Sequence, residues 1–257
     1  MKPAPFRKHL HFHEAGRAMA TMEADWPDGR STGWHSHPRD QLLYAIEGVM
    51  LVDSSAGSWV VPPNRALWLL AGIEHCVRMS GEVKMRTVYI DATQFDGLPE
   101  KTCVIAVSPL LRELIVAAVR IPVDYEEAGR DARLMHLLID ELKVSDVLGL
   151  HLPVPSDARL KRICETLTQY PADASTVAQW AERLGVTAKT VHRLFVKETG
   201  MTFAQWREQA RLLVALRHIA HGERIIDIAF DCGYASQSAF TAMFRRHFGV
   251  PPSAFYR

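Results

Sequence analysis

An α+β chain of two domains is predicted by three features: short β-type segments confined to the first hundred residues, helical periodicity from about Ser108 onward, and one helix-turn-helix pattern that occurs twice near the end. The N-terminal part reads as a small barrel or sandwich with a helical segment after it, and the C-terminal part as all-α. The length of 257 residues and a hydrophobic content of 48% suit a soluble chain of about two domains. No apolar run approaches the roughly 20 residues that span a bilayer, and Met1–Leu10 lacks the apolar core of a secretory signal. A cytoplasmic protein without a membrane partner is therefore expected.

The β region comes first. Gln41–Ile46, Val49–Val52, Ser58–Val61, Arg65–Leu70 and Val83–Ile90 are short, rich in β-branched, leucine and aromatic residues, and separated by Gly, Pro, Asp or Asn. Between Ser108 and Leu148 the period changes to that of a helix. Leu110, Leu111, Leu114, Ile115 and Ala118 form one stripe, and Leu134, Leu137, Leu138, Glu141 and Leu142 another. Pro109 suits a first helical turn and Pro122 stops the helix. Two prolines make Leu150–Pro155 extended, because each disfavours α geometry in the residue before it. The boundaries are thus 1–105 for the barrel, 106–150 for helices that either cover it or form a dimer contact, 151–155 for a linker, and 156–257 for the all-α domain.

In that last part Ser156 and Asp157 cap a helix through Tyr170, Ser175 or Thr176 starts the next, and Thr187 caps Ala188 to about Thr199. A long helix from about Phe203 to Ala220 follows, then helices near Ile225–Asp231 and Ser236–Phe248. Ala181-x-x-x-Gly185 and Ala229-x-x-x-Gly233 carry the repeat, and Phe195-x-x-x-x-Gly200 and Phe244-x-x-x-x-Gly249 close it. The alanine admits close helix approach and the glycine takes the positive φ of a sharp turn. Residues 156–257 hold 14 Lys/Arg against 9 Asp/Glu (+5), and residues 1–155 hold 16 against 20 (−4), so the basic excess lies with the repeat. The four cysteines are scattered, without a Cys-x-x-Cys pair, and read as small buried hydrophobes rather than ligands or bridges.

The run from Ile228 through Gly233, Ser236, Phe240, Phe244, Gly249 and Pro252 resembles the C-terminal domain of the AraC/XylS family of transcriptional regulators, over about 100 residues from Ser156 to the end. The resemblance implies two recognition helices that enter successive major-groove segments of promoter DNA, about 34 Å apart. Carried over by position, Lys189, His192 and Arg193 share one face of the first such helix, opposite Val191, Leu194 and Phe195. Gln237, Ser238 and Thr241 form the matching face of the second. Arg193 suits guanine, Lys189 guanine or phosphate, His192 either, Gln237 adenine and Thr241 a thymine methyl. Arg245 and Arg246 are expected on phosphates, and Phe240, Met243 and Phe244 in the core. Ala242 stands where an arginine is often found, so the second unit is expected to read fewer bases.

Gly33-Trp34-His35-Ser36-His37-Pro38-Arg39-Asp40-Gln41, with Gly48 beyond it, resembles the first cupin motif, and Ala71-Gly72-Ile73-Glu74-His75 the second. The resemblance implies a cupin-like barrel in which His35, His37, Gln41 and His75 hold a small effector or a divalent metal such as Zn, Fe or Ni. Gln41 replaces the family's metal-ligating Glu, and Leu70 its proline. Buried structural histidines remain a third reading. Trp34, Tyr44, Trp59, Trp68 and Tyr89 could line the pocket or serve as core.

The leading expectation is a non-enzymatic, ligand-responsive regulator, an activator by family habit, which would then engage RNA polymerase, and a homodimer on repeated half-sites. The alternative is a metal-dependent cupin enzyme fused to a DNA-binding module. A third is an architectural DNA binder with a degenerate sensor.

Overall fold

The computed structural model describes residues 16–55 and 57–255. Met1–Leu10, read above for a signal, lies outside the described residues, as do Tyr256 and Arg257. The chain divides into two units, one running up to Leu150 and the other from His151 onward, with residues 56–58 grouped in the second. None of the described helices is long and apolar enough to cross a membrane.

The first unit is built on strands β1 (Met19–Trp26), β2 (Asp40–Ala45), β3 (Val49–Ser54), β4 (Gly57–Val61), β5 (Arg65–Leu69), β6 (His75–Ser80), β7 (Val83–Ile90), β8 (Cys103–Ala106) and β9 (Val147–Leu148). One sheet runs β1-β7-β2-β5-β8-β9, and β4, β3 and β6 lie side by side in another. The five segments read from the sequence become β2, β3, β4, β5 and β7. The strands β1, β6, β8 and β9 were not foreseen. β1 (MATMEADW) alternates weakly and carries charge, and it owes its place to an eight-pair antiparallel match with β7, Met19↔Ile90 to Trp26↔Val83.

Period-2 alternation sorts the larger sheet into two faces. Leu42, Tyr44, Ala66, Trp68, Val88 and Ile90 point to one side, where helices α1 (Pro109–Ala118) and α2 (Arg130–Lys143) pack through Leu111, Leu114, Ile115, Met135, Leu138 and Leu142. Thr21 Oγ1 donates to the Ala118 carbonyl at 2.9 Å on this side. Ser108 caps α1 by accepting from Leu111 N, with Pro109 in the first turn. The helix ends at Ala118, short of Pro122. Two stripe assignments are corrected: Leu110 and Leu137 are exposed, because each lies about a third of a turn off the line that meets the sheet. The helical expectation for residues 108–148 is likewise narrowed, since its last two residues join the sheet as β9.

The second unit opens with the short strand β10 (His151–Pro153) and continues through α3 (Ala158–Gln169), α4 (Val177–Arg183), α5 (Ala188–Thr199), α6 (Phe203–Ala220), α7 (Ile225–Asp231) and α8 (Gln237–Phe248). Asp157, Thr176 and Thr187 begin their helices as the sequence predicts, and the structure adds a reciprocal capping box between Thr176 and Gln179 and a cap by Ser236 on α8. The segment 150–155 is extended as read. The core gathers Leu160, Ile163, Leu167, Trp180, Phe195, Trp206, Leu213, Leu216, Ile228, Phe240, Phe244 and Phe255, all buried.

Candidate functional site

In the first unit, three cross-links bring the two histidine segments together. His35 and His75 exchange backbone hydrogen bonds (N–H to carbonyl at 3.0 and 2.9 Å), Gly72 N donates to the His37 carbonyl at 2.8 Å, and Ala71 N donates to Asp40 Oδ1 at 2.6 Å. The imidazoles consequently converge. Ring centroids of His35 and His75 are 4.3 Å apart, of His37 and His75 5.1 Å, and of His35 and His37 6.2 Å. His37, Gln41 and His75 are buried and His35 is partly so.

The protons can be placed. Nδ1 of His35 faces the Gly33 carbonyl (3.0 Å), that of His37 the Arg39 carbonyl (2.7 Å) and that of His75 the Ile73 carbonyl (2.9 Å). A carbonyl only accepts, so each Nδ1 carries the hydrogen. Burial holds His35 and His37 below the ordinary histidine pKa, which favours neutral rings with a lone pair on Nε2.

His37 Nε2 lies 2.7 Å from Gln41 Oε1. A neutral imidazole with its hydrogen on Nδ1 would require the other end of the amide there, its NH₂ toward Nε2 and its oxygen toward Tyr89, the hydrogen-bonding neighbour in the adjacent strand. In that orientation a relay would run from the Tyr89 hydroxyl to Gln41, from Gln41 to His37 and from His37 to the Arg39 carbonyl. A carboxylate at position 41 would have no hydrogen to give a neutral imidazole. The donor set fits a divalent ion poorly, since the Gln41 amide is committed, and among the described residues no group of three or more His, Cys, Asp or Glu is placed to hold one.

Of the aromatic residues named as pocket candidates, Tyr89 joins the cluster, its ring 5.3 Å from that of His37. Tyr44 and Trp68 are corrected to the helix-facing side, Trp59 is buried in β4, and Trp34 is 57% exposed beside His35. Sequence reasoning missed Thr87. It lies two residues from Tyr89 on the same strand face, fully buried, with a hydroxyl that has no hydrogen-bond partner among the described residues. Only the pairing register, Leu43↔Thr87 and Gln41↔Tyr89, could have found it. Thr87→Val is therefore expected to stabilise the effector-free protein by up to about 1–3 kcal/mol, the usual cost of a buried unpaired hydroxyl. Thermal melting checks it, and a lowered melting temperature would mean that the hydroxyl is satisfied by bound water.

In the second unit, Gly185 (φ 64°) and Gly233 (φ 74°) make the two sharp turns. On α5, Lys189, His192 and Arg193 are exposed while Val191 and Phe195 are buried and Leu194 is half-buried. On α8, Gln237, Ser238, Thr241, Ala242 and Arg245 line one shallow depression, and Phe240, Met243 and Phe244 are buried behind it. The two arginines at the end of α8 differ. Arg245 joins the depression with Gln237, whereas Arg246 pairs with Glu208 of α6 at 2.7 Å, beside His247 at 3.0 Å. An exposed pair of this kind contributes about 0–1 kcal/mol, so a phosphate can displace it.

Residues 23–150 match the AraC-like ligand binding domain and residues 180–257 a helix-turn-helix domain. The HTH-type transcriptional regulator NimR of Escherichia coli is 31% identical over 221 residues, 86% of this chain and 81% of that protein. The transcriptional activator RhaS of Escherichia fergusonii is 32% identical over 126 residues, 49% of this chain and 44% of its own length. Among solved structures, ToxT from Vibrio cholerae aligns over 93% of this chain and 98% of its own at 10% identity, with a TM-score of 0.39.

Proposed function

The chain belongs to the AraC family of helix-turn-helix transcriptional regulators with an AraC-like ligand-binding domain, and from that premise we propose that it senses a small organic molecule at the His35, His37, Gln41 and His75 cluster and activates transcription from a promoter bound by α5 and α8. The observation that carries the sensor assignment is the convergence of three imidazoles, with Gln41 and Tyr89 beside them, on one largely buried polar centre, which suits a compact polar molecule. The activator assignment leans on RhaS, a named activator; an activator of this kind would engage RNA polymerase.

The experiment is a ligand screen followed by melting temperature, with metal analysis of the purified protein beside it. A ligand at 100 times its dissociation constant adds about 2.7 kcal/mol of stability. An organic ligand that raises the melting temperature of wild type but not of Gln41→Glu supports the reading. Stoichiometric metal in the purified protein, with a chelator abolishing the response, overturns it in favour of a metal effector.

We further propose a homodimer, which would place two copies of the reading helices on repeated half-sites. Leu110 on α1 and Leu137 on α2 are exposed leucines on the helices left after the sheet is covered. Light scattering is expected to give about twice the chain mass of 28.9 kDa. A single-chain mass with and without DNA refutes the dimer.

A further inference from the structure

Both helix-turn-helix units pack against α6. Phe195 of α5 lies against Phe203 and Trp206, with ring centroids 5.4 and 6.2 Å apart. The α7–α8 unit meets the same helix farther along, where Cys232 Sγ donates to the Arg211 carbonyl at 3.6 Å. Whatever sets the two units on α6 therefore also sets α5 relative to α8.

Arg211 stands between them. Its Nε–H donates to the Pro171 carbonyl at 2.8 Å, its terminal nitrogens lie 3.4 Å from the carbonyls of Asp173 and Gly233, and its guanidinium carbon is 5.6 Å from the centroid of the Tyr234 ring. Pro171 and Asp173 belong to the connection that leads into α4, the first helix of the first unit. Gly233 and Tyr234 form the turn between α7 and α8 in the second. The packing is tight: a Cβ on Gly233 would fall 2.6 Å from Arg211 Nη2 and 2.9 Å from the Ala172 Cα. One turn earlier, Arg207 Nη1 donates to the Ser175 carbonyl at 3.4 Å, so two arginines of α6 grip the same connection. A planar guanidinium presents its hydrogens in a rigid fork, and an ammonium does not.

We propose that Arg211 is a positioning residue that fixes the separation and angle of the two recognition helices, and with them the spacing of major-groove segments the protein accepts. This rests on the DNA-reading assignment of α5 and α8. Each added base pair lengthens the duplex by about 3.4 Å and turns it by about 34–36°. Two helices held rigidly on α6 cannot follow such a change, whereas two helices released from a common anchor can.

The test uses the full chain and a duplex selected from a random pool by the wild type. Binding is measured on that duplex and on versions with one base pair inserted or removed between the two contacted segments. The wild type is expected to lose about tenfold or more in affinity on the altered spacings. Arg211→Met, which keeps the stem and removes the fork, and Arg211→Lys are both expected to cut that penalty to about threefold or less. Circular dichroism reports whether each is folded, and Arg211→Lys carries the test if Arg211→Met is not. A variant that binds every spacing more weakly by one common factor overturns the proposal, because a merely structural arginine behaves that way. A wild type that enriches no sequence overturns the DNA-reading assignment itself and the proposal with it.

Discussion

Replacing His37 or His75 with alanine is expected to abolish the response to the effector, at least a tenfold loss of the ligand-induced change in DNA affinity or reporter output, while DNA binding itself persists. His37 stands between Gln41, whose Oε1 is 2.7 Å from Nε2, and the Arg39 carbonyl, 2.7 Å from Nδ1. His75 is fully buried and bridged to His35 through the backbone. Removing either ring leaves the other polar groups without their partner and opens the centre. The recognition helices lie in the other unit, with a core of their own, so they should keep their fold.

The same histidines predict a pH dependence. Burial depresses the folded pKa of His35 and His37 below the ordinary value near 6.5, so the unfolded chain binds more protons in the interval between the two values. Their contribution is complete above about pH 6.5 and is lost as the pH falls from there through the folded pKa. The wild type is expected to lose stability on acidification through this window, and His37→Ala to lose less of it. A double replacement of His37 and His75 that still responds like wild type would reduce the cluster to a structural role.

How far the sequence reaches depends on whether the determinant is local. Helix caps, the two glycine turns and the 3.6-residue period act within a few residues, and α3, α4, α5 and α8 begin directly after Asp157, Thr176, Thr187 and Ser236. The strands that escaped notice are those whose partners are distant. β8 holds to β5 from nearly forty residues away, Arg65↔Ala106 to Trp68↔Cys103, and nothing in its own four residues announces it. The site divides the same way. His-x-His and Gly-Ile-Glu-His are contiguous signals, and the structure brings all four named residues together. The role of Gln41 as a bridge, the buried hydroxyl of Thr87 and the three-carbonyl grip of Arg211 depend on long-range register and packing, which a linear pattern does not carry.

Arg193→Ala and Arg245→Ala are expected to fail in opposite ways. Arg193 sits in the middle of the exposed face of α5, one residue from His192 and four from Lys189, and forms no ion pair among the described residues. Its guanidinium can present two parallel donors to a guanine edge in the major groove. Its loss should reduce discrimination between operator variants by about 1–3 kcal/mol, concentrated at one base position. Arg245 borders the depression on α8 in the last helical turn, beyond the residues proposed to face base edges, where phosphate contact is the expectation. Its loss should weaken all sequences alike and lower the slope of log affinity against log salt by about one unit, the release of one counterion. Competition binding on a panel of single-base variants at two or more salt concentrations separates the two. Equal weakening across the panel by Arg193→Ala would move that residue to the phosphate backbone. A base-specific loss from Arg245→Ala would extend the reading face of α8 by a full turn, and with it the number of base pairs the second unit selects.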